Sequence, residues 1–203
     1  MHIEFLVEEP SAEAALLNIV PKILRQDVSF AIHPYQGKQD LRRKLLNRLR
    51  GYKAWLPKDC RIVVLIDADD ESCKKLKDKL ERIAYNSGLL TKLKMKGSSH
   101  SQVLNRLAIE ELEAWFFGDV DALHAAYPRI SLELGKKAKY RNPDVIKGGT
   151  WEALEREFKR AGHFSAGLSK ISVAREISLY MKPECNRSGS FQVFRQGLMD
   201  LFS

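Results

Sequence analysis

Short apolar stretches and longer amphipathic ones follow each other along the first half of the chain. Four stretches, at residues 2–7, 28–35, 61–66 and 91–95, predict strands. The segments between them carry apolar residues at helical spacing and predict three helices. Strands that alternate with helices in this way predict a parallel sheet whose crossovers are right-handed.

Single residues mark where these elements begin or end. Ser11 is a candidate N-cap for the first helix, and Pro21 is expected to kink or end that helix. Pro34, near the end of the second strand, favours an edge position because proline cannot donate a ladder hydrogen bond. Gly88 is expected to end the third helix, and Thr150 is expected to cap the helix predicted at residues 150–161.

The alternation stops after Asp119. Residues 107–109 suit the end of another strand, and the segment from Glu110 onward suits a helix. Residues 136–149 are basic and rich in turn formers, and they predict a long loop. Four further helices are predicted, at residues 120–127, 150–161, 169–181 and from residue 191 onward. We therefore expect one compact unit, with an α/β core of mainly parallel sheet flanked by helices over residues 1–119 and a helical C-terminal cap over residues 120–203.

The charge balance favours an anionic partner. The 203 residues carry a formal charge of +8, and nucleic acid is the commonest partner of such a basic chain. The three cysteines form no zinc spacing, and their odd number, with no targeting segment at the start, suggests reduced thiols in the cytoplasm. No apolar run approaches the roughly 20 residues of a membrane span.

The third predicted strand ends abruptly in acids, in the sequence VVLIDADD. Asp67 and Asp69 stand two residues apart, so in extended backbone their side chains share one face. Glu8 follows the first strand, and the ends of parallel strands meet at the edge where open α/β sheets bind ligands. Carboxylates crowded there repel each other unless a cation relieves them, and hard oxygen ligands suit Mg²⁺ or Mn²⁺. The alternative is an acidic turn in which Asp69 or Asp70 caps the next helix.

Glu113 is a fourth acidic candidate. It stands directly before Ala114 and Trp115, among residues expected to pack inward, where an unpaired carboxylate is expensive. With a metal bound, this residue would add a ligand or act as a base. The alternative is an acid placed at a helix N-terminus for its favourable interaction with the helix dipole.

The second predicted helix presents a strongly basic face, beginning at Lys38 and continuing with Arg42 and Arg43. Further basic residues on it are Lys44, Arg48 and Arg50. We expect Lys38, Arg42 and Arg43 to contact phosphates; the alternative is an ordinary solvated helix face. The sequence has no dinucleotide fingerprint, phosphate-binding P-loop, GxSxG or HExxH. Carboxylates that hold metal beside cations that hold a backbone fit phosphodiester cleavage best.

Several stretches resemble a known family. The acid after strand one and the DxD after strand three resemble the Toprim domain of topoisomerases, primases and overcoming-lysogenization-defect nucleases. A closer resemblance is to a Toprim-like family of small bacterial and archaeal proteins, domain of unknown function family 4276. The pieces that carry it are FLVEEPSAEAAL (5–16), QGK (36–38), DADDESCKKLK (67–77), AIEELEAWFFGD (108–119) and NRSGSF (186–191). ELEAW and NRSxSF are fairly specific, whereas DxD alone is not.

The resemblance implies a Toprim-like, Rossmann-like fold, Mg²⁺ and action beside an ATPase of ABC or overcoming-lysogenization-defect type in phage or mobile-element defence. By it, Glu8 matches the first Toprim acid, Asp67 and Asp69 match the DxD, and Glu113 is a family-specific addition. The usual Toprim motif has glycine after its glutamate, where this chain has Glu9 and then Pro10. Glu13 is therefore a candidate to share or replace the role of Glu8.

Three functions remain open from the sequence. The first is a metal-dependent nuclease that cleaves nucleic acid, DNA in the first instance. The second is a non-catalytic Toprim-like partner of an ATPase, which docks through exposed aromatic residues of the helical cap. The third is a phosphohydrolase that acts on a small nucleotide, against which the basic surface argues mildly.

Overall fold

Four parallel strands form the centre of the computed structural model, which describes residues 1–91, 101–163 and 168–202. The strands are β1 (His2–Val7), β2 (Ser29–Pro34), β3 (Cys60–Asp67) and β4 (Val103–Ala108), in the spatial order β2-β1-β3-β4. Helices cover both faces of this sheet. The fold is therefore α/β and Rossmann-like, as predicted.

The helices follow the alternating pattern through the first half of the chain and then continue without strands. They are α1 (Pro10–Ile19), α2 (Lys38–Trp55), α3 (Cys73–Asn86), α4 (Ala114–Gly118), α5 (Val120–Ala126), α6 (Thr150–Arg160), α7 (Lys170–Tyr180) and α8 (Gly189–Met199). A short 3₁₀ turn at Leu132–Lys136 leads into the predicted long loop, and two more, at Ala138–Tyr140 and Pro143–Val145, lie within it.

Two apolar layers enclose the sheet. The layer on one face consists of residues from the sheet together with α2 and α3, including Leu45 and Leu80. The layer on the other face includes residues of α1 and of the five helices α4 to α8, from Trp115 to Leu198. β3 is buried along its whole length because it is central and covered on both faces, which accounts for its continuous apolar run. The division of the chain at residue 119 stays a prediction, because the second layer joins residues from both sides of it.

Several boundary predictions are confirmed and two are wrong. Pro21 lies in a 3₁₀ turn that ends α1, Pro34 ends the edge strand β2, and Gly88 follows α3 with a φ of 80°. Ser11 is not the N-cap of α1: Glu9 holds that position, and the Ser11 hydroxyl donates to its carboxylate. Thr150 likewise opens α6 rather than capping it.

The fourth strand of the sheet lies later in the chain than the stretch predicted at residues 91–95: β4 ends at Ala108, within the stretch 107–109 predicted to end another strand. Thr91 makes only an isolated bridge to Val103, and the rest of the predicted strand lies outside the described residues, as does His100 in the polar sequence that follows it. The apolar pattern of the sequence does not show where β4 begins, because two polar residues interrupt the strand. The side chain of Asn105 is buried against Glu81, and Arg106 donates to a backbone carbonyl of α8.

Two other expectations are corrected. The helix predicted from Glu110 starts only at Ala114, because Glu110 has a φ of 62° and bridges to Asp69. The aromatic residues expected on the surface of the cap are mostly buried. Those less than a tenth exposed are Tyr127, Tyr140, Phe158, Phe191 and Phe194. Tyr180 is the large exception, at 51% exposed.

The ELEAW and NRSxSF stretches bind to each other. The Trp115 indole donates to the Ser190 hydroxyl (3.0 Å), and the Asn186 amide donates to the Trp115 carbonyl (2.7 Å). Ser188 caps α8 by accepting from the Phe191 N–H. Gly118 permits this approach, because a Cβ there would stand 2.1 Å from the side-chain oxygen Oδ1 of Asn186. The two stretches therefore fasten α8 to α4.

Helices in the described part of the chain do not combine the length and apolar character that a membrane crossing requires. This finding agrees with the membrane part of the sequence analysis. The three cysteines are free thiols, also as expected.

The contact between α4 and α8 predicts a measurable loss of stability. We expect Ser190→Ala to lower the free energy of unfolding by about 1–3 kcal/mol, because the buried Trp115 N–H loses its acceptor. Urea unfolding followed by tryptophan fluorescence measures the loss. Val193→Ala, at a residue 59% exposed on the same helix, is the matched control and should change stability by less than about 0.5 kcal/mol. Equal stability of the two variants would contradict this role of Ser190.

Candidate functional site

The carboxyl ends of β1 and β3 bring two acids into contact. Val7 pairs with Leu65 in the parallel register, so Glu8 leaves β1 beside the end of β3. A Glu8 carboxylate oxygen accepts a hydrogen bond from the Asp67 backbone N–H at 3.2 Å. Partial burial raises the pKa of Glu8, and the nearby charge of Asp69 adds to that rise. The predicted meeting of acids at this edge is thus present for Glu8 and Asp67.

Asp67 and Glu113 are buried carboxylates of the same site. Asp67 is 8% exposed and Glu113 is fully buried. Burial raises the pKa of Asp67 well above its usual value, and the charges of Glu8 and Glu113 raise it further. Both carboxylate oxygens of Glu113 lack a hydrogen-bond partner among the described residues. Burial raises its pKa to about 7.

Lys170 supplies positive charge to this group of acids. Its ammonium lies 3.1 Å from a Glu9 carboxylate oxygen and 3.6 Å from one of Glu113, at the start of α7. It also lies 5.7 Å from the centre of the Trp151 ring. Burial disfavours the charge of Lys170, but the carboxylates of Glu113 and Glu9 outweigh it and raise the lysine pKa. Lys170 is therefore a counter-ion held within the site.

Asp69 lies at the rim of the site. The prediction that it shares an extended face with Asp67 is wrong, because β3 ends at Asp67 and Asp69 adopts a φ of 47°. Its backbone N–H donates to the Glu110 carbonyl at 2.7 Å, and its carboxylate accepts from Lys38 at 2.8 Å. Lys38 also donates to the Ala68 carbonyl. Asp69 is thus neutralised by Lys38 while Asp67 is not.

The three predicted phosphate contacts differ in their surroundings. Lys38 and Arg42 are largely covered, and Arg42 contacts Glu71 at 2.6 Å. Both therefore tie α2 to the acidic turn after β3. The side chain of Arg43 is 76% exposed and contacts Asp40 at 2.7 Å. Arg43 is the member of this set that the structure leaves open to a ligand.

A strongly acidic cleft of about 470 Å³ adjoins Asp69. Carboxylates line it together with Gly148 and Gly149: they belong to Asp69, Asp70, Glu110, Glu111 and Glu152. Glu111 also has a structural part, since one of its oxygens accepts three hydrogen bonds from Thr150 and Trp151 at the start of α6. A phosphate cannot enter this cleft favourably without cations.

Lys170 was not predicted as a site residue from the sequence, and no role was assigned to Glu9. A single lysine at the start of a helix has no distinguishing pattern, and it reaches the site only because α7 packs against α1. Glu9 had a signal, as the residue that departs from the Toprim motif. Glu13, considered as a substitute for Glu8, lies in the first turn of α1 and forms no side-chain hydrogen bond or ion pair within the described ranges.

The donor atoms suit a hard divalent cation, but they are not assembled into a finished shell. Oxygen-only ligands and two buried oxygens without partners are what Mg²⁺ or Mn²⁺ requires. Within residues 1–91, 101–163 and 168–202, however, no three His, Cys, Asp or Glu side chains already stand at metal-binding spacing. Binding would therefore have to draw the carboxylates together.

A family model described as a domain of unknown function (DUF4276) matches residues 7–199. The chain belongs to this family. The match includes Glu8, Asp67, Asp69, Glu113 and Lys170, so the whole site lies within the DUF4276 domain. Comparison with curated proteins and with solved structures gave no significant match. The family assignment itself states no activity and no relation to Toprim proteins.

The buried Glu113 predicts a stability difference that depends on pH. Its pKa of about 7 in the fold exceeds the ordinary 4.5, so its contribution to stability is greatest below pH 4.5 and is lost as pH rises through about 7. In EDTA we expect Glu113→Gln to gain about 2 kcal/mol relative to wild type between pH 5 and pH 8. Urea unfolding at both pH values measures this gain.

Glu133→Gln is the matched control, because the Glu133 side chain is 65% exposed and remote in sequence. Its stability relative to wild type should be the same at both pH values. A Glu113→Gln variant whose relative stability is equally insensitive to pH would contradict the burial of a titrating carboxylate.

Proposed function

We propose that this DUF4276 protein is a metal-dependent nuclease of Toprim type that hydrolyses phosphodiester bonds of nucleic acid, with DNA as the first substrate to test. One observation carries the proposal. Glu8, Asp67 and Glu113 converge at the carboxyl edge of β1 and β3, and their charges are only partly balanced by Lys170. Such a group needs further positive charge, which protons or a divalent cation supply.

Glu8, Asp67 and Glu113 would hold Mg²⁺ or Mn²⁺, with Asp69 close by at the rim. A divalent cation, when bound there, would polarise a phosphoryl oxygen and lower the pKa of water. The protein's own contribution is to keep the carboxylates buried and close to each other. The adjacent acidic cleft supports this proposal, because a divalent cation is also what a phosphodiester would need in order to approach.

Glu113 and Lys170 have further roles in the proposed reaction. Glu113 would either complete the set of metal ligands or, where it is not bound to the cation, accept a proton from the attacking water, a role that suits a buried carboxylate with a raised pKa. The Lys170 ammonium holds positive charge between Glu9 and Glu113, where it would balance negative charge as a phosphate approaches. Trp151 lies beside this ammonium, and Glu111 fixes the helix that carries Trp151.

The finer parts of the proposal rest on the Toprim resemblance. They are the action beside an ATPase of ABC or overcoming-lysogenization-defect type and the role in phage or mobile-element defence. A cytoplasmic location also belongs to the proposal, and the three free thiols support it. The positions of Glu8 and Asp67 at the ends of β1 and β3 agree with the Toprim arrangement of acids.

The second candidate function is a non-catalytic partner of an ATPase. The observation in its favour is that no metal-binding spacing is already present among the described side chains. Under this alternative the acids hold the fold through Lys170 and Lys38 alone. Cleavage of nucleic acid by the purified protein separates the two candidates.

Calorimetric titration with Mn²⁺ and Mg²⁺ tests the proposal, together with cleavage of supercoiled and single-stranded DNA. We expect Asp67→Asn and Glu8→Gln each to weaken metal binding and to lower the cleavage rate by about 100-fold or more, the equivalent of about 2.7 kcal/mol. Asp78→Asn removes an exposed acid from α3 and should bind metal and cleave as wild type does.

Two results would count against a nuclease. Cleavage that persists unchanged in Asp67→Asn would place the activity elsewhere or in a contaminant. No binding of either ion at millimolar concentration would show that these carboxylates do not form a metal site. Metal binding without cleavage, by contrast, would favour the ATPase partner, and turnover of free nucleotides alone would favour a phosphohydrolase.

A further inference from the structure

A basic groove of about 610 Å³ lies between the end of β2 and the exposed face of α2. The side chains that define it are His33, Tyr35, Arg43, Lys44, Asn47 and Arg48. We call it the α2 groove. Its charge is opposite to that of the acidic cleft, because three cations and a single acid line it.

That single acid, Asp40, orders two of the cations without using all their donors. Its two oxygens contact Arg43 at 2.7 Å and Lys44 at 2.8 Å. A guanidinium has five N–H donors and an ammonium has three, so both keep donors for a ligand. Their side chains are 76% and 54% exposed. Asp40 thus holds two cations in place while leaving the groove with net positive charge.

The third cation, Arg48, rests on a rigid base. Its guanidinium lies 5.0 Å from the centre of the Tyr52 ring and donates to the Tyr52 hydroxyl at 3.1 Å. That hydroxyl in turn donates to Glu4, which also contacts His33 at 2.5 Å. Tyr52 is buried, and Glu4 is 9% exposed. Arg48 is therefore positioned in advance of any ligand.

The α2 groove and the acidic site share one turn of the chain. Tyr35 and Gln36 line the groove, and the Tyr35 N–H donates to the Val7 carbonyl at 3.0 Å. The next residue but one, Gly37, donates its N–H to the carbonyl of Glu8 at 2.9 Å. A nucleic-acid strand whose phosphates lie in the groove and that crosses this turn would therefore reach the edge of the sheet that carries Glu8.

We propose that the α2 groove binds one strand of a nucleic acid by its phosphates and leads it across the 35–37 turn to the acidic edge. The inference rests on the proposed function, because it names how the substrate of that site is held. Exposed, ordered cations suit a phosphodiester backbone, and the half-buried Tyr35 ring, which lines the groove with the Lys44 ammonium 6.0 Å from its centre, is the aromatic group on which we expect a base to stack.

Fluorescence anisotropy in EDTA tests the groove without metal or cleavage. The probes are a labelled single-stranded oligonucleotide, the duplex of the same length, and inorganic phosphate as competitor. We expect Lys44→Met and Arg48→Met each to weaken strand binding by about 3–10-fold and to reduce the slope of log K against log salt by about 0.7–0.9. Arg50→Met makes the same charge change on α2 outside the groove, and it should weaken binding by less than about twofold.

Further arms test the ligand class. We expect the wild type to bind the single strand more tightly than the duplex. We expect Tyr35→Leu to weaken binding of the single strand more than binding of the duplex. Equal effects of Arg50→Met and Arg48→Met would overturn the groove in favour of diffuse attraction to a basic helix. Tighter duplex binding, or displacement by millimolar phosphate, would also overturn the proposal. Urea unfolding of each variant confirms that it is folded.

The groove proposal and the nuclease proposal can be refuted independently of each other. The Asp67→Asn variant keeps the groove and should bind the strand as wild type does in EDTA. If strand binding depends on Lys44 and Arg48 but no variant or metal condition yields cleavage, the nuclease proposal fails and the groove stands. If the wild type cleaves DNA and the groove variants bind and cleave equally well, the groove fails and the nuclease stands.

Discussion

Repulsion between carboxylates at the ends of two neighbouring parallel strands is the constraint on which the rest of this structure depends. The register of β1 and β3 sets Glu8 against Asp67, and Glu113 adds a third carboxylate that is fully buried. A fold tolerates such a group only when positive charge or protons compensate for it. The Lys170 ammonium partly balances the negative charge of the buried carboxylates, and Lys38 balances the charge of Asp69 at the rim.

The elements remote from the sheet serve this arrangement. Glu113 directly precedes α4, and α4 is fastened to α8 through Trp115, Asn186 and Ser190. The contacts between α1 and α7 bring Lys170 to Glu9. The contacts between the ELEAW and NRSxSF stretches are therefore structural, and they position Glu113.

Much of the architecture follows from the pattern of the sequence. The alternating apolar stretches predicted the parallel sheet, and the acids after β1 and β3 predicted where Glu8 and Asp67 meet. Only the end of β4 could be predicted, because Asn105 and Arg106 interrupt its apolar pattern and find partners on α3 and α8 that only the tertiary structure supplies. Asp69 departed from its predicted place because its backbone turns left-handed after the strand ends. Lys170 and the division of α2 into a covered and an open face likewise depend on packing between distant segments.

Opposite charges lie on two sides of one edge: the acidic cleft beside Asp69 and the basic groove along α2. That separation suits a site in which cations and a polyanion approach from different directions. The most direct measurement of the central claim is anomalous scattering from crystals grown with Mn²⁺. The account predicts a peak among the carboxylates of Glu8, Asp67 and Glu113, with the Lys170 ammonium moved away from Glu113. Mn²⁺ confined to the exposed cleft at Asp70 and Glu152, with Lys170 still beside Glu113, would contradict it.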